Sequence, residues 1–205
     1  MKNSSIFLNK FNTFKIISAF VAVIMLTLVV MPAHAYTTPP DVADTKYVKA
    51  VDTLGELHIM VGDVDGKFRP KDNIKRSEFA TIAVRLSGLE ATVVAGQATK
   101  FPDVPAEHWA SGYINLAVEK GYLKGDVEGT FRPDSNISFA EVATILLRFI
   151  DTEKEQEAIS NGGYPAGYMT VAESLGLFAD LGGYNAKTPA IRGAAAIMIY
   201  NSLDK

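Results

Sequence analysis

The 205-residue chain contains no cysteine. That excludes disulfides, a thiol nucleophile and a lipid-modified cysteine anchor. Histidine is nearly as scarce, with three in the whole chain. Only His58 and His108 lie beyond residue 35. No metal-ligand spacing and no nucleophile elbow can be written around them, so the sequence offers neither a metal centre nor a hydrolase site. Tryptophan occurs once, at Trp109. Long hydrophobic runs are also missing, except for Ile16 to Val30 near the N-terminus. That run follows an acid-free lead carrying Lys2, Lys10 and Lys15 and precedes Met31-Pro32-Ala33-His34-Ala35. A basic lead, a short apolar stretch and small residues at Ala33 and Ala35 are the parts of a secretory signal, expected to be cut before Tyr36. The run is shorter than the roughly 20 apolar residues a spanning helix needs.

A basic excess is absent too. Three of the chain's 20 basic residues sit in that lead, leaving 17 against 23 acidic residues and a net charge of −6 outside it. This argues against a nucleic-acid or bulk polyanion binder, and no further membrane segment is expected. A secreted chain without disulfides depends on its core, and residues 36–205 are enough to build one.

What the sequence does contain is repetition. Gly62-Asp63, Gly66, Phe68-Arg69-Pro70, Asn73-Ile74, Glu78, Ala80-Thr81-Ile82 and Arg85 recur 63 residues on, from Gly125-Asp126 to Arg148. Upstream, Pro40-Asp41-Val42 with Tyr47 matches Pro102-Asp103-Val104 with Trp109 at an offset of 62. A weaker copy, shorter at its turn and without the Pro-Asp-Val lead, runs from Val171 to Leu203. Each copy reads as helix, glycine turn, Phe-Arg-Pro, helix. Trp109, Tyr113, Leu116 and Ala117 share one helical face, and Phe139, Val142, Ala143, Leu146, Phe149 and Ile150 share another. Ser138 with Glu141 forms a capping box, and Thr188-Pro189 is a cap with a first-turn proline. Gly66 and Gly129 stand where the turn calls for positive φ. One helix pair cannot cover its own apolar face, whereas three stacked pairs can. The expected fold is therefore mainly α. A signal occupies 1–35 and the repeats fall at 36–90, 101–152 and 153–205, with a linker at 91–100.

This ordered motif set, from about Asp41 to Leu203, resembles the S-layer homology family. The resemblance implies three repeats in a pseudo-threefold arrangement around a central three-helix bundle. It implies grooves between repeats that bind a secondary cell-wall polysaccharide, often through a pyruvate ketal, with no catalytic step and no cofactor. Arg76 matches the family arginine that meets the carboxylate. A guanidinium pairs with a carboxylate at two points, although a first-turn arginine can equally be a solvated partner of Glu78 or a neighbour. Copy two has Phe139 at this position, which either offers a flat face to a sugar or packs into the core. Copy three keeps Arg192 but has Ala194 where Glu78 and Glu141 stand, so its arginine is expected to be less well oriented. At most two anion grooves are expected.

The resemblance also brings Asp41, Asp103, Trp109, Tyr47 and the turn glycines, among them Gly125 and Gly183, to the same grooves. Each has an ordinary alternative: a cap for the aspartates, a half-buried anchor for the aromatics and simple turn formation for the glycines. Arg69 and Arg132 read as structural residues beside the turn. Asp63-x-Asp65-Gly66 and its echo at Asp126 lack the spaced ligands of a calcium loop, so no metal is expected. The leading expectation is a secreted cell-wall anchor located in the wall or S-layer of a bacterium. The alternative is a protein-interaction or self-assembly module that binds another surface protein or a second copy of itself. For the anchor, Arg76→Ala is expected to abolish wall binding, Arg192→Ala to weaken it, and Phe139→Arg to leave it unchanged or raise it.

Overall fold

A computed structural model describes residues 36–205, so the expected signal at 1–35 lies outside the described residues. The described chain is mainly α. Its helices are α1 (Val48–Glu56), α2 (Arg76–Leu86), α3 (Ser111–Glu119), α4 (Phe139–Ile150), α5 (Thr152–Ser160), α6 (Ala166–Ser174) and α7 (Arg192–Ser202), with a short 3-10 turn at Glu90–Thr92. None of them is long and apolar enough to cross a membrane.

The helices pair across the copies. The second helix of copy one, α2, packs on α3 of copy two. In turn α4 packs on α6 of copy three, and α7 returns to α1 of copy one. α4 and α7 also touch each other. α5, at the start of copy three, packs on both α4 and α6. The faces read from the sequence pack on the core, with Val142, Ala143 and Leu146 fully enclosed on α4 and Tyr113, Leu116, Phe149 and Ile150 partly buried. Trp109, however, precedes its helix and is 59% exposed.

The starts of α2, α4 and α7 are tied into a ring. The Ile74 amide donates to the Ala190 carbonyl (3.1 Å), Ala190 to Ile137 (2.8 Å) and Ile137 back to Ile74 (3.0 Å). A helix leaves its first amides without intrahelical partners. Here the neighbouring copy's loop supplies carbonyls for them. Arg76 and Ser77 donate to Ser135 and Pro133, Phe139 and Ala140 to Thr188 and Ala186, and Arg192 and Gly193 to Asp72 and Pro70. Each of these bonds is worth on the order of 1 kcal/mol, and more where its loss would strand a buried amide. The ring also corrects one boundary. Pro189 does not open the last helix, because Pro189 and Ile191 bridge to Ser138 and Asn73 before α7 begins at Arg192.

The glycine turns behave as their residues require, with φ of 78° at Gly66, 81° at Gly129 and 78° at Gly182. Arg69 (55°) and Arg132 (57°) also adopt positive φ, which the sequence did not announce. Their guanidinium groups hold the turn's own acids. Arg69 pairs with Asp63 and Asp65, and Arg132 with Asp126 at 2.9 Å.

Candidate functional site

Arg76, Phe139 and Arg192 are the first residues of α2, α4 and α7, so the ring points all three toward the neighbouring copy's glycine turn. Arg76 Nε donates to the Phe131 carbonyl (2.8 Å) and Nη2 to the Lys124 carbonyl (3.2 Å). Arg192 repeats this geometry 63 residues away on the acceptors, with Nε on Phe68 O (2.8 Å) and Nη2 on Val61 O (3.1 Å). Each guanidinium carbon lies 4.9 Å from the centre of a fully buried phenylalanine ring, Phe131 or Phe68. Burial lowers the pKa of both arginines, and nearby acids (Glu141 for Arg76, Glu78 and Asp72 for Arg192) oppose that shift. Both remain cations at any working pH.

The two sites differ in what remains free. Arg76 is 5% exposed, and its Nη1 donates to Glu141 Oε1 at 2.6 Å. Its carboxylate partner therefore comes from copy two and not from Glu78 on its own helix. Arg192 is less buried, and among the described residues no side-chain carboxylate pairs with it. Ala194 does not loosen Arg192, because the acid at that helical position serves the preceding copy's arginine. The acid that most offsets the burial of Arg192 is Glu78 of copy one, which caps α2 by accepting from the Lys75 amide (2.8 Å).

Each arginine lines a groove. The Arg192 groove holds about 200 Å³ and is walled by Val61, Gly62, Glu78, Thr81, Arg85 and Trp109. The Arg76 groove holds about 390 Å³ and uses the equivalent positions Lys124, Gly125, Glu141, Thr144 and Arg148, with Val127 and Arg132 added. Its exposed aromatic is Tyr164, on the chain leading into α6. The sequence reading missed Tyr164 because copy three lacks the Pro-Asp-Val lead that would have aligned it with Trp109. An aromatic just before a helix was the available signal.

The outer walls of both grooves are braced alike. Arg85 donates to Glu90 (2.8 Å), which also accepts from the Tyr113 hydroxyl (2.9 Å). Arg148 donates to Glu155 (2.8 Å), which accepts from the Tyr168 hydroxyl (3.2 Å). Burial pushes both carboxyls up, but these bonds outweigh it and hold them below the ordinary range.

The third position is filled. Phe139 is 7% exposed, so of the two possibilities open in the sequence it takes the core. Its ring centre lies 6.3 Å from that of Tyr184, which stacks on Phe178 at 4.0 Å. Lys46 Nζ donates to the carbonyls of Asp180 (3.1 Å) and Leu181 (2.6 Å) beside it. Asn201, at the position of Arg85 and Arg148, donates to Leu177 O and Ala179 O.

The other predicted residues divide clearly. Asp41 takes the Phe68 and Arg69 amides (3.0 and 2.7 Å), and Asp103 takes those of Phe131 and Arg132 (3.0 and 2.6 Å). They staple each copy's lead to its Phe-Arg-Pro turn, the capping role rather than a free groove edge. Burial raises the Asp41 carboxyl, yet its backbone bonds win and hold it below its ordinary value. Tyr47 packs on α7, where a Cβ on Gly193 would come within 2.7 Å of its ring. Gly125 has no room for a side chain, since a Cβ would stand 2.9 Å from the Thr130 carbonyl. Gly183 is exposed on the third turn, with open space around its Cα.

Known cell-surface proteins share parts of this sequence. The chain is 42% identical over 99 residues to cell surface glycoprotein 1 of Acetivibrio thermocellus, covering 48% of this chain and 4% of that protein. It is 31% identical over 209 residues, its whole length, to a cell surface protein of Thermoanaerobacter kivui, of which it spans 25%. It is 34% identical over 104 residues to the cellulosome-anchoring protein of Acetivibrio thermocellus, covering 50% of this chain and 23% of that protein. The chain thus spans a quarter or less of these relatives. Residues 40–80 and 100–143 match the S-layer homology domain. The chain thus carries the S-layer homology domain at these two segments.

Proposed function

We propose that the chain is a non-catalytic cell-surface anchor that binds an anionic, pyruvylated cell-wall polysaccharide in two grooves between repeats. In this reading 36–90, 101–152 and 153–205 are three repeats forming one pseudo-threefold unit. The closed ring of bonds at Ile74, Ile137 and Ala190 supports that arrangement. Among the relatives, one is named for cellulosome anchoring and others for the S-layer, which supports attachment at a bacterial surface.

The observation that carries the proposal is Arg192. Two backbone carbonyls fix its guanidinium while Nη1 has no protein partner among the described residues, and the exposed Trp109 ring lines the same groove. A fixed fork of donors beside an apolar ring suits a carboxylate carried on a sugar. The Arg76 groove is the second site, with Lys124 and Arg132 adding cations beside the Arg76–Glu141 pair. Since the net charge is negative, recognition rests on these shaped grooves, and affinity should fall only modestly with salt. Sedimentation with native and de-pyruvylated walls tests the proposal. Binding to native walls alone is expected, and equal binding to both would refute carboxylate recognition.

A further inference from the structure

The three helices that begin with Arg76, Phe139 and Arg192 let the molecule serve as its own control. A residue needed only for the fold should persist at all three positions. A residue needed for ligand should persist in the two open grooves and be lost from the filled one. Counting from each helix start, the sixth residue is Thr81 in α2, Thr144 in α4 and Ile197 in α7. Thr81 lines the Arg192 groove and Thr144 the Arg76 groove, while Ile197 is buried in the copy that walls the filled position.

Threonine is a poor choice for this place on structural grounds. It is a weak helix former, and a hydroxyl that is nearly enclosed costs free energy unless it is bonded. Both threonines are 8% exposed. Each gives its proton to the carbonyl one turn back, Thr81 to Ser77 (3.3 Å) and Thr144 to Ala140 (2.7 Å). With the proton committed, the hydroxyl oxygen is left as an acceptor. The grooves otherwise offer mainly cationic donors and carboxylates, so a neutral acceptor is distinctive.

We propose that Thr81 and Thr144 are ligand-contacting, specificity-determining residues, each accepting a hydrogen bond from a sugar hydroxyl seated beside the groove arginine. The inference rests on the proposed polysaccharide reading. It assigns the hydroxyl-bearing part of the ligand to the threonine and the acidic part to the arginine.

The test is calorimetric titration of the secreted chain with polysaccharide prepared from the source organism's walls, comparing wild type with T81V/T144V, T81S/T144S and Arg192→Ala. Valine keeps the shape and removes the acceptor. We expect T81V/T144V to bind about fivefold more weakly with an unchanged unfolding temperature, and the serine pair to restore affinity. Wild-type affinity in T81V/T144V while Arg192→Ala binds more weakly would overturn the threonine role and leave the polysaccharide reading standing. Parallel loss of affinity and unfolding temperature in T81V/T144V would assign the threonines to the fold and overturn it as well. Failure of the wild type to bind the polysaccharide would overturn the underlying reading and the inference with it.

Discussion

The Arg192 groove and the Phe139 position are built by the same ring and the same helix starts, yet one holds an available cation and the other a stack of aromatic rings. The difference is concerted. The filled position has Phe139 for arginine, Ala194 for glutamate, Ile197 for threonine and Asn201 for the second arginine. Along the chain these changes lie in two different copies, the arginine missing from copy two and the acid from copy three. In space each groove takes its arginine from one copy and its acid from the next, which places both losses at one site. Removing a buried arginine while keeping its acid would strand a charge, at a cost of several kcal/mol. Losing both together and filling the space with aromatic rings avoids that cost.

The comparison can be broken most severely at its filled member. Phe139→Ala should destabilise the fold by about 3–5 kcal/mol, read by urea unfolding, because it empties a closed aromatic cluster. Wall binding by the folded fraction should be unchanged. Phe139→Arg should also destabilise, by about 2–3 kcal/mol, since its charge would enter a site without an acid. Wall binding is a separate quantity, expected from sequence to stay unchanged or rise in the folded fraction. Adding Ala194→Glu should recover about 1 kcal/mol in a double-mutant cycle, and an additive result would argue against the cross-copy pairing.

At the open member, Arg192→Ala strands the Phe68 and Val61 carbonyls, and should cost about 2 kcal/mol of stability together with most of the wall affinity. Arg192→Lys should not rescue binding, because an ammonium lacks the fork that spans two carbonyls and a ligand. Arg76→Ala should weaken binding less than Arg192→Ala, since Arg76 already holds Glu141. That reverses the order expected from sequence. Asp103→Asn should cost about 1–2 kcal/mol, with little effect on affinity once the protein is folded.

The smallest effect is that of pH. The carboxyls of Asp41, Glu90 and Glu155 are held below their ordinary values in the fold. Their contribution is therefore present above the unfolded pKa of about 4 and is lost as pH falls through the lower folded values. Thermal unfolding between pH 6 and pH 3 should show a falling midpoint.

Much of this was legible in the chain. The 63-residue echo and the helical spacing gave the repeated helices but not α5, and Ser138 with Glu141 forms the expected cap, at 2.8 and 3.3 Å. The pairing of copies was not legible, because which copy's loop meets which helix is a tertiary choice that local pattern does not encode. For that reason Glu78 looked like Arg76's partner and Ala194 looked like a defect of Arg192. Tyr47 and Trp109 share a motif position but not an environment, because one residue of offset before the helix turns one ring to the core and the other to solvent. The positive φ of Arg69 and Arg132 coincides with the aspartate staples on their amides, and no residue preference signals it.

The central claim is that binding belongs to the two grooves that keep an arginine. Isothermal titration of the secreted chain with a short, terminally pyruvylated fragment of wall polysaccharide tests it directly. The account predicts two sites per chain in the wild type, one in Arg192→Ala, and an unchanged two in Phe139→Ala. Three sites in the wild type, or a count that drops with Phe139→Ala and not with Arg192→Ala, would contradict it.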